Sequence, residues 1–205
     1  NTLVQHDPLN ENKIIADLAR SWEISPDGLG YTFRLHEGVK FHNGYPATAE
    51  DAKYSLERMA NPPKGVRSPR QLLFRNVERI EAVDGNTLRI TLKHPQASLL
   101  GTLAMEFNGV LSKRFIEEKG GKVDWSLVGT GPFKVKEYIR GVAVEHEKNP
   151  EYFIKGRPYL DGLTWYLIPD AGAMKAAIRT GRALASLSAG SPISLAEADI
   201  LKKEV

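Results

Sequence analysis

The chain has 205 residues, 41% hydrophobic and 26% charged, enough to bury a core as one large domain or two small ones. Its 28 bases and 25 acids give a net charge of +3 without a basic block, which argues against nucleic acid as a partner. With no cysteine, disulfides, zinc–thiolate centres and thiol nucleophiles are excluded, and no apolar run approaches the ~20 residues needed to cross a bilayer.

In chain order, TLVQHD after Asn1 predicts a strand leading into a turn. Tyr31, Phe33 and Leu35 then alternate with Thr32, Arg34 and His36, the period of a half-buried strand. Val39 and Phe41 continue the apolar face, Lys40 and His42 share the polar one, and Asn43-Gly44 signals a turn. Thr48, with Asp51 three residues on, starts a helix whose buried stripe is Ala49, Ala52, Leu56 and Met59. Asn61-Pro62-Pro63 stops it. Next come a hairpin of Val77–Val83 and Thr87–Leu92, and two short helices at 98–105 and 112–119, the second ended by Gly120-Gly121. A linker around 122–128 precedes GTGPF (129–133) and a hairpin of Phe133–Ile139 and Val142–Lys148. Leu163–Ile168 predicts a strand buried on both faces, and Asp170 caps a helix over 171–180. A short strand at 183–187 and a helix opened by Ser194 and Glu197 complete the series. Neither an internal repeat nor a low-complexity tract is present.

The residues show no catalytic constellation. The five histidines include no i, i+4 helical pair and no HExxH arrangement, so a zinc site is not indicated. GTGPF lacks the third glycine of a dinucleotide fingerprint, and Pro132 blocks the helix that fingerprint needs. P-loop and GxSxG motifs are absent. His42 lies on the solvent-side face of its strand, and Glu50 and Asp51 belong to a helix first turn, where the dipole favours negative charge. The stretch is expected to be scaffolding. Trp22, Trp125 and Trp165 are expected to be core rather than pocket lining.

Three ordered blocks carry a resemblance. DLARSWEISPDGLGYTFRLHEGVKFHNGYPATAEDAKYSLERM (17–59) resembles the signature of family 5 solute-binding proteins, the extracytoplasmic receptors of peptide, dipeptide and nickel ABC importers. GTGPFKVKEY (129–138) and NPEYFIKGRPYLDGLTWYLIPD (149–170) are similar to the family's later blocks in order and spacing. Asn43 stands where the family usually has Asp, and Arg182 and Ala185 stand where it usually has acids.

The resemblance implies a mixed α/β (α+β) fold: a periplasmic-binding-protein-like lobe of two subdomains, with antiparallel hairpins and flanking helices. The second lobe is expected to be absent, the chain being a first-lobe fragment. Residues 16–123 would form the inserted antiparallel subdomain, and 1–15 with 124–205 the subdomain leading to the second lobe. The implied function is capture rather than chemistry: a small solute, a di- or oligopeptide above all, held for an ABC importer permease in a periplasmic or membrane-anchored extracytoplasmic setting. Neither cofactor, metal nor catalytic residue is implied. A nickel chelate as ligand, a sensor or chaperone role, and less readily a hydrolase are the alternatives. Two stretches align with cleft-lining segments of the family. Arg67 and Arg70 would meet a ligand carboxylate, and Glu106 an ammonium group, with Phe107 as an apolar wall and Asn108 beside it.

Overall fold

The computed structural model describes residues 1–65, 68–122, 126 and 128–185. In chain order it forms strands β1 (Val4–Asp7), β2 (Asn10–Ala16), β3 (Ala19–Ile24) and β4 (Gly30–Leu35), then helix α1 (Ala49–Ala60). A 3-10 turn at Gln71–Phe74 leads to β5 (Val77–Ala82) and β6 (Thr87–Leu92). Helices α2 (Leu99–Leu103) and α3 (Lys113–Glu118) flank a second 3-10 turn, Glu106–Asn108. Strands β7 (Phe133–Ile139), β8 (Ala143–Lys148) and β9 (Gly162–Tyr166) precede α4 (Ala171–Arg179). Mixed α/β architecture with antiparallel sheets is therefore observed.

The residues separate into two units. One comprises Asn1–Lys134 with Asn149–Tyr159, the other Val135–Lys148 with the described residues from Leu160 onward.

In the first unit, β3-β4-β6-β5 make an antiparallel sheet. Its register aligns Phe33 with Leu88 and Leu88 with Ala82, and beside them Tyr31 with Ile90 and Ile90 with Ile80. Because side chains alternate faces, both rows point the same way and build one core surface. Helix α1 packs against β5 and β6, burying Ala49, Ala52 and Leu56, with Met59 partly buried beside them. Each large side chain removed from water here contributes roughly 1.5–3 kcal/mol.

The start of α1 is fixed by Asp51. Its Oδ2 accepts from the Thr48 backbone N–H at 2.9 Å and from the Thr48 hydroxyl at 2.7 Å. Its Oδ1 accepts from the Lys113 backbone N–H at 2.9 Å, so one buried carboxylate joins the starts of α1 and α3. Ser55, one turn on, accepts from the Leu111 N–H at 2.9 Å and strengthens the same join.

In the second unit, β7-β8-β9 form a three-stranded sheet, and the Asp170 carboxylate accepts from the Ala173 N–H at 2.7 Å to cap α4. Gly162 is required where β9 begins, because a Cβ there would lie 2.6 Å from the His146 carbonyl oxygen. The expected burial of Leu163–Ile168 on both faces is not what the structure shows. The strand ends at Tyr166, and Trp165 is 42% exposed. Among the described residues the strand lies at a sheet edge and pairs with β8 alone. An apolar run specifies a strand, but burial needs a covering layer that local sequence does not reveal. Residues 183–185 are irregular, while the rest of that expected strand and the helix opened by Ser194 and Glu197 lie outside the described residues.

Candidate functional site

The GTGPF turn is anchored by side chains from distant segments. His42 Nε2 donates to the Gly131 carbonyl at 3.0 Å, and the Gly129 N–H donates to His42 Nδ1 at 3.4 Å. The His42 N–H also donates to the Gly129 carbonyl at 2.9 Å. This set requires the neutral ring with its proton on Nε2. Burial holds the His42 pKa below the ordinary imidazole value, outweighing the Gly131 bond that acts the other way; the Lys134 charge adds to the lowering. His42 is therefore not on a solvent-facing surface, as alternation alone predicts. The 129–131 loop packs over His42, while Lys40 on the same face stays exposed. Its role as scaffolding fits this geometry, since both ring nitrogens are engaged with backbone.

Asn149 completes the anchor. Its buried side-chain amide donates to the same Gly131 oxygen at 3.0 Å, and its Oδ1 accepts from the Glu151 N–H at 3.1 Å. Lys40 reaches Glu151 at 2.6 Å, and that bond lowers the Glu151 pKa. The third member is Asp17, a buried carboxylate that accepts from the Thr2 N–H at 2.7 Å, the Thr2 hydroxyl at 3.3 Å and the Asn1 side-chain amide. The buried Thr130 hydroxyl donates to Asn1 Oδ1 at 3.0 Å, so carboxylate, amide and glycine turn form one polar network. Sequence reasoning missed Asp17 as an anchor. Its signal was a lone acid directly before Leu18 and Ala19 at the start of a strand. Asn43 does the turn work expected of the family's Asp, accepting from the Tyr45 N–H at 3.2 Å beside Gly44 at φ +85°.

The proposed ligand-facing residues gather around the second 3-10 turn. Asn108 is only 3% exposed, and its side-chain amide donates to the Thr102 carbonyl at 2.6 Å. That bond ties the turn to α2 and presents Glu106 and Phe107 outward from it. The Arg70 guanidinium carbon stands 4.0 Å from the Phe107 ring centroid, a cation–π stack. Stacking holds the planar guanidinium while leaving its edge N–H groups able to take a carboxylate. Among the described residues neither Arg70 nor Glu106 is paired with an opposite charge. Arg70 and Phe107, placed on separate sequence stretches, are thus brought together, whereas Asn108 supports from beneath. Arg67 lies outside the described residues, as does Trp125. Trp22 packs against the core as expected, while Trp165 is exposed. No group of three or more potential metal ligands occurs among the described residues.

Residues 13–204 match the family described as bacterial extracellular solute-binding proteins, family 5 Middle. The glutathione-binding protein GsiB of Pectobacterium atrosepticum is 36% identical over 191 residues, covering 93% of this chain and 36% of that protein. Di/tripeptide-binding protein 2 of Pseudomonas aeruginosa is 36% identical over 177 residues, 77% of this chain and 33% of that protein. Among solved structures, the ABC transporter-associated periplasmic binding protein DppA of Helicobacter pylori, in complex with the peptide STSA, superposes with a TM-score of 0.78. It is 33% identical and covers 89% of this chain and 39% of its own. The chain spans about a third of the length of the curated relatives it matches. These relatives are named as binding proteins. Among the described residues no helix is long and apolar enough to cross a membrane. A family match over nearly the whole chain, a lobe-like fold and relatives above 30% identity agree: the chain belongs to family 5 of the bacterial extracellular solute-binding proteins.

Proposed function

We propose that this protein is an extracytoplasmic receptor that captures a di- or oligopeptide and delivers it to an ABC importer, without catalysis. The observation that carries the reading is the Arg70–Phe107 stack beside Glu106, which has no ion-pair partner among the described residues, in a chain whose relatives are named for glutathione and di/tripeptides. A zwitterionic peptide needs a partner for each terminus and an apolar wall for side chains. Arg70 offers a planar donor pair for the carboxylate, Glu106 an acceptor for the ammonium, and Phe107 the wall. Arg67 is proposed as a second cation in the same loop, and Asn108 as the residue that shapes the turn. In this reading residues 16–123 are the inserted subdomain, and 1–15 with 124–205 lead to a second lobe. Enclosure between two lobes would supply the burial that an open wall lacks.

Calorimetry of the full-length protein against di- and oligopeptides, glutathione and a nickel–histidine chelate tests the reading. Peptides should bind, and Arg70→Ala and Glu106→Ala should each weaken binding by about tenfold or more. Absence of peptide binding defeats the ligand class. Unchanged affinity in both variants defeats the assignment of the wall while leaving the receptor reading intact.

A further inference from the structure

The 3-10 turn at Gln71–Phe74 carries a surface that the proposed solute wall does not use. With Phe74 inserted into the core, a three-residue turn directs its two preceding side chains elsewhere. Leu72 is 74% exposed and Leu73 37% exposed. Beside them open two surface cavities of about 410 and 860 Å³, which share Leu72, Arg75 and Lys93. The smaller also contains Glu57 and Glu78. Among the described residues the larger has Arg75, Lys93 and His94 in its lining and no carboxylate.

This larger groove has a fixed frame. Lys93 Nζ donates to the Arg75 carbonyl at 3.1 Å, which holds the ammonium beside the arginine backbone. Asn76 donates to the His94 carbonyl at 2.7 Å, and the His94 N–H donates back to Asn76 Oδ1 at 3.1 Å. Among the described residues neither Arg75 nor Lys93 is paired with an acid. Arg70, Glu106, Phe107 and Asn108 line neither cavity, although Thr102, whose carbonyl takes the Asn108 amide, borders the larger one.

We propose that the larger groove is a docking surface for an acidic segment of a partner protein. Its carboxylates would lie against Arg75 and Lys93, and an interleaved apolar side chain against Leu72 and Leu73. A small inorganic anion would answer the cations and leave both leucines in water. A purely apolar partner would bury the leucines and desolvate two unmatched charges, which is costly. An acidic segment with apolar side chains satisfies both halves of the groove, and charge complementarity steers its approach.

The test uses the full-length protein and a short acetylated, amidated peptide alternating glutamate with leucine, followed by fluorescence anisotropy. Blocked ends remove the terminal charges on which the proposed solute site depends. Saturable binding that weakens with salt is expected. The double variant R75E/K93E should bind about tenfold more weakly, and Leu72→Ser about fivefold more weakly. Should the double variant fail to fold, Arg75→Ala with Leu72→Ser makes the same comparison. Solute affinity should be unchanged in each folded variant, so failure of the receptor reading and failure of this one give different results. The proposal is overturned by absent binding, by equal binding of peptides with lysine for glutamate or serine for leucine, or by indifference to the variants. Displacement of the peptide by dilute inorganic phosphate would assign the cations to a small anion and overturn it too.

Discussion

Strands β4 and β9 both come from apolar sequence, yet they meet different surroundings. β4 lies between β3 and β6, and its Tyr31, Phe33 and Leu35 are all buried. Among the described residues β9 pairs with β8 alone and leaves Trp165 and Tyr166 open, with Arg182 stacked 5.0 Å from the Tyr166 ring. The contrast separates two properties that a hydrophobic pattern merges. Strand formation follows from local residues and one paired neighbour, whereas burial depends on a layer supplied from elsewhere in the sequence.

Substitutions in the two strands and between them can break or sharpen that contrast. The largest effect is expected for Phe33→Ala, which empties the centre of the first sheet and should cost about 3–5 kcal/mol in urea denaturation. A loss below about 1 kcal/mol would show that this sheet is not the core. His42→Ala should cost about 1–2 kcal/mol by leaving the Gly131 oxygen with Asn149 as its remaining side-chain donor, with solute affinity within about twofold. Its pH dependence has a definite sign. Burial lowers the folded-state pKa, so the stabilisation from neutral His42 is complete above the unfolded value of ~6.5 and is lost as pH falls through the lowered one. The stability difference between wild type and His42→Ala should therefore shrink on acidification; a difference that widens would contradict the neutral ring. The smallest effect is expected for Trp165→Ala, below about 1 kcal/mol for a half-exposed edge position. A loss matching that of Phe33→Ala, in the full-length protein, would mean that β9 is covered there.

Much of the first unit was legible in the sequence because its signals are local. Alternation at 31–35, the Thr48–Asp51 start and the turn at Asp84-Gly85-Asn86 each depend on residues within a few positions. The blocks at 17–59, 129–138 and 149–170 gave the family, which the comparisons support. What escaped was pairing at a distance. Alternation correctly separated His42 from Val39 and Phe41 but carried no information about a loop arriving from residue 129. Likewise, nothing near Asn108 indicated that its amide would turn inward to Thr102 rather than toward a ligand. The stack of Arg70 on Phe107 joins positions 37 residues apart, beyond the reach of any periodicity.

The Gly131 carbonyl accepts from His42 and Asn149, partners 89 and 18 residues away. Closing the longer of these loops carries the larger entropic cost, which the His42 bond must meet and the Asn149 bond need not. By contact order the His42 bond is therefore the later of the two to form, an order that φ-values measured at His42 and Phe33 would test.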